Sequence, residues 1–122
     1  MVEFALTMPL LLLLIFGVID GGRAALAMVT LTNGVRDGGR VGALAYPSPS
    51  WAQQATDRAR LSLLAVNQAE LTLSTSSEST GGVTHVTVRA DYTFRPLGLP
   101  AVGGLTPVSL SASARMLVGQ LP

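Results

Sequence analysis

Residues 4–19 read FALTMPLLLLLIFGVI, and only Thr7, Pro9 and Gly17 in that run fall outside the hydrophobic set. Glu3 precedes it, and Asp20 and Arg23 follow it. Sixteen helical residues rise about 24 Å, short of the roughly 30 Å hydrocarbon core of a bilayer. The continuation AALAMVTLT lengthens the span if Asp20 and Arg23 pair at the i, i+3 spacing of a helix. A helix apolar on every side needs lipid or other protein around it. A 122-residue chain is too small to bury one. A secretory signal would need a basic head and a small-residue cleavage site, whereas Glu3 heads this run and GVIDGGRA follows. A plain bitopic anchor stays open.

Composition narrows the remaining functions. The chain has no Cys, a formal net charge of +1 and 12% charged residues, about half the usual share. Absent Cys removes disulfide scaffolds, thiolate metal sites and cysteine nucleophiles. The near-zero charge gives no electrostatic basis for nucleic-acid binding. His85 is the only His and reads as a surface residue, and one His without a neighbouring acidic cluster does not make a metal site. There is no G-x-S-x-G, no Ser/His/Asp spacing and no acid pair for a nucleophile. The Gly38-Gly39-x-x-Gly42 stretch is helix-compatible and follows no strand, so it is not a phosphate loop. These features point to a non-enzymatic protein without metal or cofactor.

The chain stays helix-compatible after Arg23, and one helix from about Glu3 to about Tyr46 would be on the order of 60–65 Å long. Pro9 is expected to loosen its first turns, and Tyr46-Pro47-Ser48-Pro49 to end it. Gly17 and Gly21 are four apart, as are Gly34, Gly38 and Gly42, a spacing that bares one face for close helix packing. Local flexibility is the other reading of these glycines.

Residues 47–122 read as a small α+β head. Ser50-x-x-Gln53 is a capping-box pattern opening a helix over roughly 51–67, with Ala52, Ala55, Ala59 and Leu63 on one face. The period then becomes two. Val86, Val88, Ala90, Tyr92 and Phe94 alternate with polar residues, as do Val108, Leu110, Ala112, Ala114 and Met116. Leu71 and Leu73 begin a shorter strand, and Ser79-Thr80-Gly81-Gly82 makes a hairpin turn. The expected fold is α+β: a long N-terminal hydrophobic helix, a second short helix and a three- to four-stranded antiparallel sheet. Residues 1–46 form the transmembrane or filament-core helix and 47–122 the head. The segment STSSEST is polar enough to be exposed; Ser76, Ser77 and Thr80 there are candidates for O-linked glycans, a solvated turn being the plainer alternative.

The stretch VEFALTMPLLLLLIFGVIDGGRA, followed by NGVRDGGRVGALAYP, resembles the TadE-like pilin family, in the type IVb (tight-adherence) branch of type IV pilins. The resemblance is strongest over residues 2–46. It implies a pilin-like subunit inserted in the inner membrane, cut by a prepilin peptidase after a Gly, and assembled by an ATPase with its inner-membrane platform. The product would be an extracellular pilus, a helical homopolymer on the bacterial surface. Residues Glu3, Phe4, Leu6, Leu10, Leu11, Leu12, Leu13, Leu14, Ile15, Phe16 and Ile19 would form the subunit-assembly helix. Asp20 and Arg23 would make an intrahelical or intersubunit ion pair. The family places a Glu at the fifth mature position; that role falls to Glu3, which is third in this numbering, and the Gly preceding the cut is not in the sequence. Paired with a neighbour's free α-amino group, Glu3 would set axial register between copies; lying among lipid headgroups, it would not. A second role consistent with the resemblance is a minor or membrane-anchored pilus protein that does not form the fibre alone.

Overall fold

The structure, a computed structural model, describes residues 2–97 and 107–119. Helix α1 spans Val2–Ala45, 44 residues or about 66 Å, and runs unbroken through Pro9. The loosened first turns expected at Pro9 therefore do not interrupt it. Helix α2 spans Trp51–Ser62, and the strands are β1 (Leu71–Thr80), β2 (Val83–Phe94) and β3 (Val108–Leu117). They form one antiparallel sheet in the order β1-β2-β3. The architecture is α+β, with three strands among the described residues.

Helix and sheet meet through the alternation read from the sequence. Val86, Val88 and Ala90 of β2 and Ala112 and Ala114 of β3 are buried on one face. Ala27, Leu31 and Val35, four apart on α1, pack on that face with Ala55, Ala59 and Leu63. The core therefore begins at Ala27 and contains none of residues 2–19. The C-terminal half of α1 is built into the head, and its N-terminal half projects from it.

The two helices approach along a seam of small residues. A Cβ placed on Gly34 would lie 2.6 Å from Leu63 Cγ. One on Gly38 would lie 2.7 Å from the Ala55 carbonyl oxygen and 2.8 Å from Ala59 Cβ. Asp37 adds a polar tie, accepting from the Ser62 hydroxyl at 2.9 Å with the Arg58 guanidinium at 3.8 Å.

Four local expectations are corrected. Helix α2 stops at Ser62 rather than near residue 67, because Leu63 and Val66 both turn into the core and the chain must redirect toward β1. The Gln68 side-chain amide donates to the Leu63 and Val66 carbonyls, which the helix no longer satisfies. The Ser50–Gln53 capping box does not form; the Gln54 amide donates to the Ser50 hydroxyl at 2.9 Å instead. Strand β1 is ten residues long, extending through the whole Ser/Thr segment, because Gly81 and Gly82 alone make the turn. Both have positive φ, +62° and +83°, which a two-residue hairpin of this twist requires. His85 is half-buried rather than a surface residue, and its Nδ1 is buried without a hydrogen-bond partner. The connection expected over 96–107 lies mostly outside the described residues.

The other sheet face is wet. Thr72, Ser74, Ser76 and Glu78 pair in register with Asp91, Arg89, Thr87 and His85, and these with Ser111, Ser113, Arg115 and Leu117. Arg89 holds Asp91 through both oxygens at 2.9–3.1 Å, and these hydrogen bonds pull the Asp91 carboxyl below the usual carboxylate range.

Two outcomes are expected from this packing. Gly38→Ala forces a methyl onto a backbone oxygen and should cost about 1–3 kcal/mol, despite the better helix propensity of Ala. Gly22→Ala, whose added carbon meets nothing within 4 Å, should instead stabilise by about 0.5–1 kcal/mol. Thermal unfolding of the detergent-solubilised chain, followed by circular dichroism, separates them. Asp91 contributes stability above its unfolded value of about 3.9, and that contribution disappears as pH falls through its lowered folded value. A small melting-temperature gap between wild type and Asp91→Asn should therefore be present near about pH 6 and close toward about pH 2.

Candidate functional site

Every residue from Val2 to Phe16 is exposed, including Phe4, Leu6, Leu10, Leu11, Leu12, Leu13, Leu14, Ile15 and Phe16; Ile19 is exposed as well. The projecting segment is thus bare apolar surface, and it belongs to a helix, Val2–Ala45, that is long and apolar enough as a whole to cross a membrane by length and composition. The segment's one hydroxyl is turned inward on the backbone: Thr7 donates to the carbonyl of Glu3 at 2.8 Å. This removes a polar hydrogen from the helix surface. Glu3 is exposed in the first turn, where a carboxylate is favoured by the helix dipole.

The five glycines read as close-packing residues divide in place. Gly34, Gly38 and Gly42 lie buried against α2, and Gly42 also against Val86. Nothing lies within 4 Å of a Cβ built on Gly17 or Gly21 in the single chain. Ser76, Ser77 and Thr80 are exposed on β1.

Asp20 marks the point where α1 enters the head. It is only 4% exposed, and its Oδ1 accepts from Arg23 at 3.0 Å and from the backbone N–H of Leu97 at 3.0 Å. The Arg23 guanidinium carbon sits 5.3 Å from the centroid of the Phe94 ring. The i, i+3 pair was visible in the sequence; the Leu97 amide, 77 residues away, carries no sequence signal. The carboxylate thus ties the end of β2 to the helix exit, and its charge is compensated inside the protein rather than presented outward.

Asp20→Ala should cost about 1–3 kcal/mol, since the Leu97 N–H loses a charged, buried acceptor and Arg23 loses its partner. The Leu97 amide should exchange with deuterium faster in that variant. Asp57→Ala removes an exposed carboxylate that only accepts from Gln53 and should stay within about 0.5 kcal/mol of wild type.

No match to this chain is found among curated proteins or among solved structures. Residues 1–40 match the family model described as TadE-like protein. Over that N-terminal third, from the apolar run through the Asp20–Arg23 exit into the buried half of α1, the chain is similar to TadE-like proteins.

Proposed function

We propose that the chain is a structural protein of a Tad-type pilus, a subunit that polymerises through the projecting half of α1. One observation carries this: the head closes its core without residues 2–19, and those residues present an exposed apolar helix. Such a surface has two stable surroundings, lipid and the helices of other copies. Burying each Leu or Phe there contributes roughly 1.5–3 kcal/mol. The division we propose is by environment, with the inner membrane holding the projecting segment before assembly and the bundled helices of neighbours holding it in an extracellular fibre. A prepilin peptidase, an assembly ATPase and its membrane platform are the partners that such a route requires. The role assigned to the chain is structural rather than catalytic. Glu3, at one end of the apolar segment, sets the axial register by pairing with a cation on a neighbour, because an unpaired carboxylate among packed apolar helices is costly.

Stoichiometry in filaments sheared from the cell surface tests this. The chain should be a main component by quantitative mass spectrometry. A trace amount beside another, more abundant pilin would make it a minor or membrane-anchored component that does not form the fibre alone. Glu3→Ala should lower filament yield at least roughly tenfold, the equivalent of about 1.4 kcal/mol, while the membrane-inserted pool persists. Unchanged yield would remove the register role from Glu3.

A further inference from the structure

The projecting helix is too short for the membrane it is proposed to cross. Between Glu3 and Asp20 lie residues 4–19, about 24 Å of helix against a hydrocarbon core of ~30 Å. Any tilt shortens the reach further. Meanwhile the head begins before the apolar run ends. Gly17, Gly21 and Ala24 of α1 form one wall of an open groove of about 250 Å³, and Pro96, Val108 and Leu110 line the other. Leu97 is 72% exposed and Val108 49%, so two large apolar side chains stand in the open beside the helix exit.

The charges at this level are placed so that apolar surface can continue past residue 19. Asp20, the carboxylate that would end the span, is turned into the head and compensated there. Arg23, 43% exposed, lies over Phe94, and Arg95, 66% exposed, pairs with Glu70 at 3.0 Å. Long guanidinium side chains at such a rim can reach phosphate while their stems stay in apolar surroundings.

We propose that, while the chain is in the membrane, the underside of the head (Pro96, Leu97 and Val108) seats in the outer interface of the bilayer and supplies the missing hydrophobic length. The occupant of the groove and its rim is then the glycerol and upper acyl region of phospholipid. The proposal rests on residues 4–19 spanning the membrane. Lipid is chosen over a second copy because the shortfall of about 6 Å exists for a single inserted chain, before any neighbour is present.

Trp fluorescence tests this in the full chain, reconstituted at low protein-to-lipid ratio into phosphatidylcholine–phosphatidylglycerol vesicles with or without brominated acyl chains. Trp51 is the sole Trp and sits beside Gly42, 23 residues or about 35 Å of helix beyond Ile19, so it serves as the remote control. In a Trp51→Phe background, Phe16→Trp reports the span and Leu97→Trp the underside, with Val108→Trp as a second reporter. Brominated lipid should reduce the emission of Phe16→Trp and of both underside reporters roughly twofold or more, Trp being well accommodated at the interface, and leave Trp51 unchanged. Quenching of Phe16→Trp without quenching at positions 97 and 108 would overturn the seated head and leave the span intact. An unquenched Phe16→Trp would overturn the span and this inference together. Underside reporters that escape lipid but shift as the protein-to-lipid ratio rises would assign the groove to a second copy and overturn the proposal.

Discussion

The contact between α1 and α2 is made where both helices are nearly bare. Gly34, Gly38 and Gly42 face Ala55, Ala59 and Leu63, each set spaced by four, so matching ridges run along both helices. Larger side chains on α1 would hold α2 away from the sheet that the two helices share. With the helices close, Leu31, Val35, Leu63, Val86 and Val88 fill the space above the sheet and are fully buried. The seam has a cost, since each Gly in a helix interior is about 1 kcal/mol worse than Ala. That cost is offset by a core completed by a helix that is also the stem, leaving the head no need of the apolar segment beyond it.

That arrangement gives α1 two surroundings along a single axis, with Asp20 at the change. On its C-terminal side the helix has one buried stripe, Ala27, Leu31 and Val35, and an exposed polar side at Asn33, Arg36 and Arg40. On its N-terminal side no face is buried and almost no residue is polar. A carboxylate at this boundary is tolerable only because it is enclosed: Arg23 supplies the countercharge and Leu97 a fixed N–H. The same contact fastens the far end of β2 to the helix, so the sheet is held at its base by Asp20 and further along α1 by the glycine seam.

Much of this was legible because it is written at short range. An apolar run, a period of two in β2 and β3, Gly81-Gly82 and Tyr46-Pro47 each act on neighbouring residues, and the helix, the strands, the turn and the helix end follow from them. The spacing of Gly34, Gly38 and Gly42 announced a close approach, but Ala55 and Leu63 as partners depend on how the chain returns. Helix α2 ended early for the same reason: nothing local stops a helix at Ser62, whereas the burial of Leu63 and Val66 and the reach of Gln68 do. Strand β1 outran its apolar pattern because ladder pairing with β2 carries Ser74 to Thr80 along, once the Gly pair sets register. At the candidate site, Asp20 and Arg23 were readable as a pair; the Leu97 amide and the Phe94 ring were not, since only tertiary structure brings them to the helix exit.

The proposed life of the chain follows from where its apolar surface can go. Glu3 and Asp20 bracket a segment that the head does not cover, and in water each exposed Leu or Phe of that segment would cost roughly 1.5–3 kcal/mol relative to burial. Release from the membrane as a free monomer is therefore strongly uphill, whereas transfer from lipid into a bundle of identical helices exchanges one apolar surrounding for another. In that exchange the hydrophobic effect nearly cancels, and the preference between lipid and fibre falls to terms that differ between them: close packing at bare positions such as Gly17 and Gly21, and a partner for the Glu3 charge. Small residues and a lone acid on an otherwise uniform greasy helix are the features that can tell a neighbouring helix from a lipid tail.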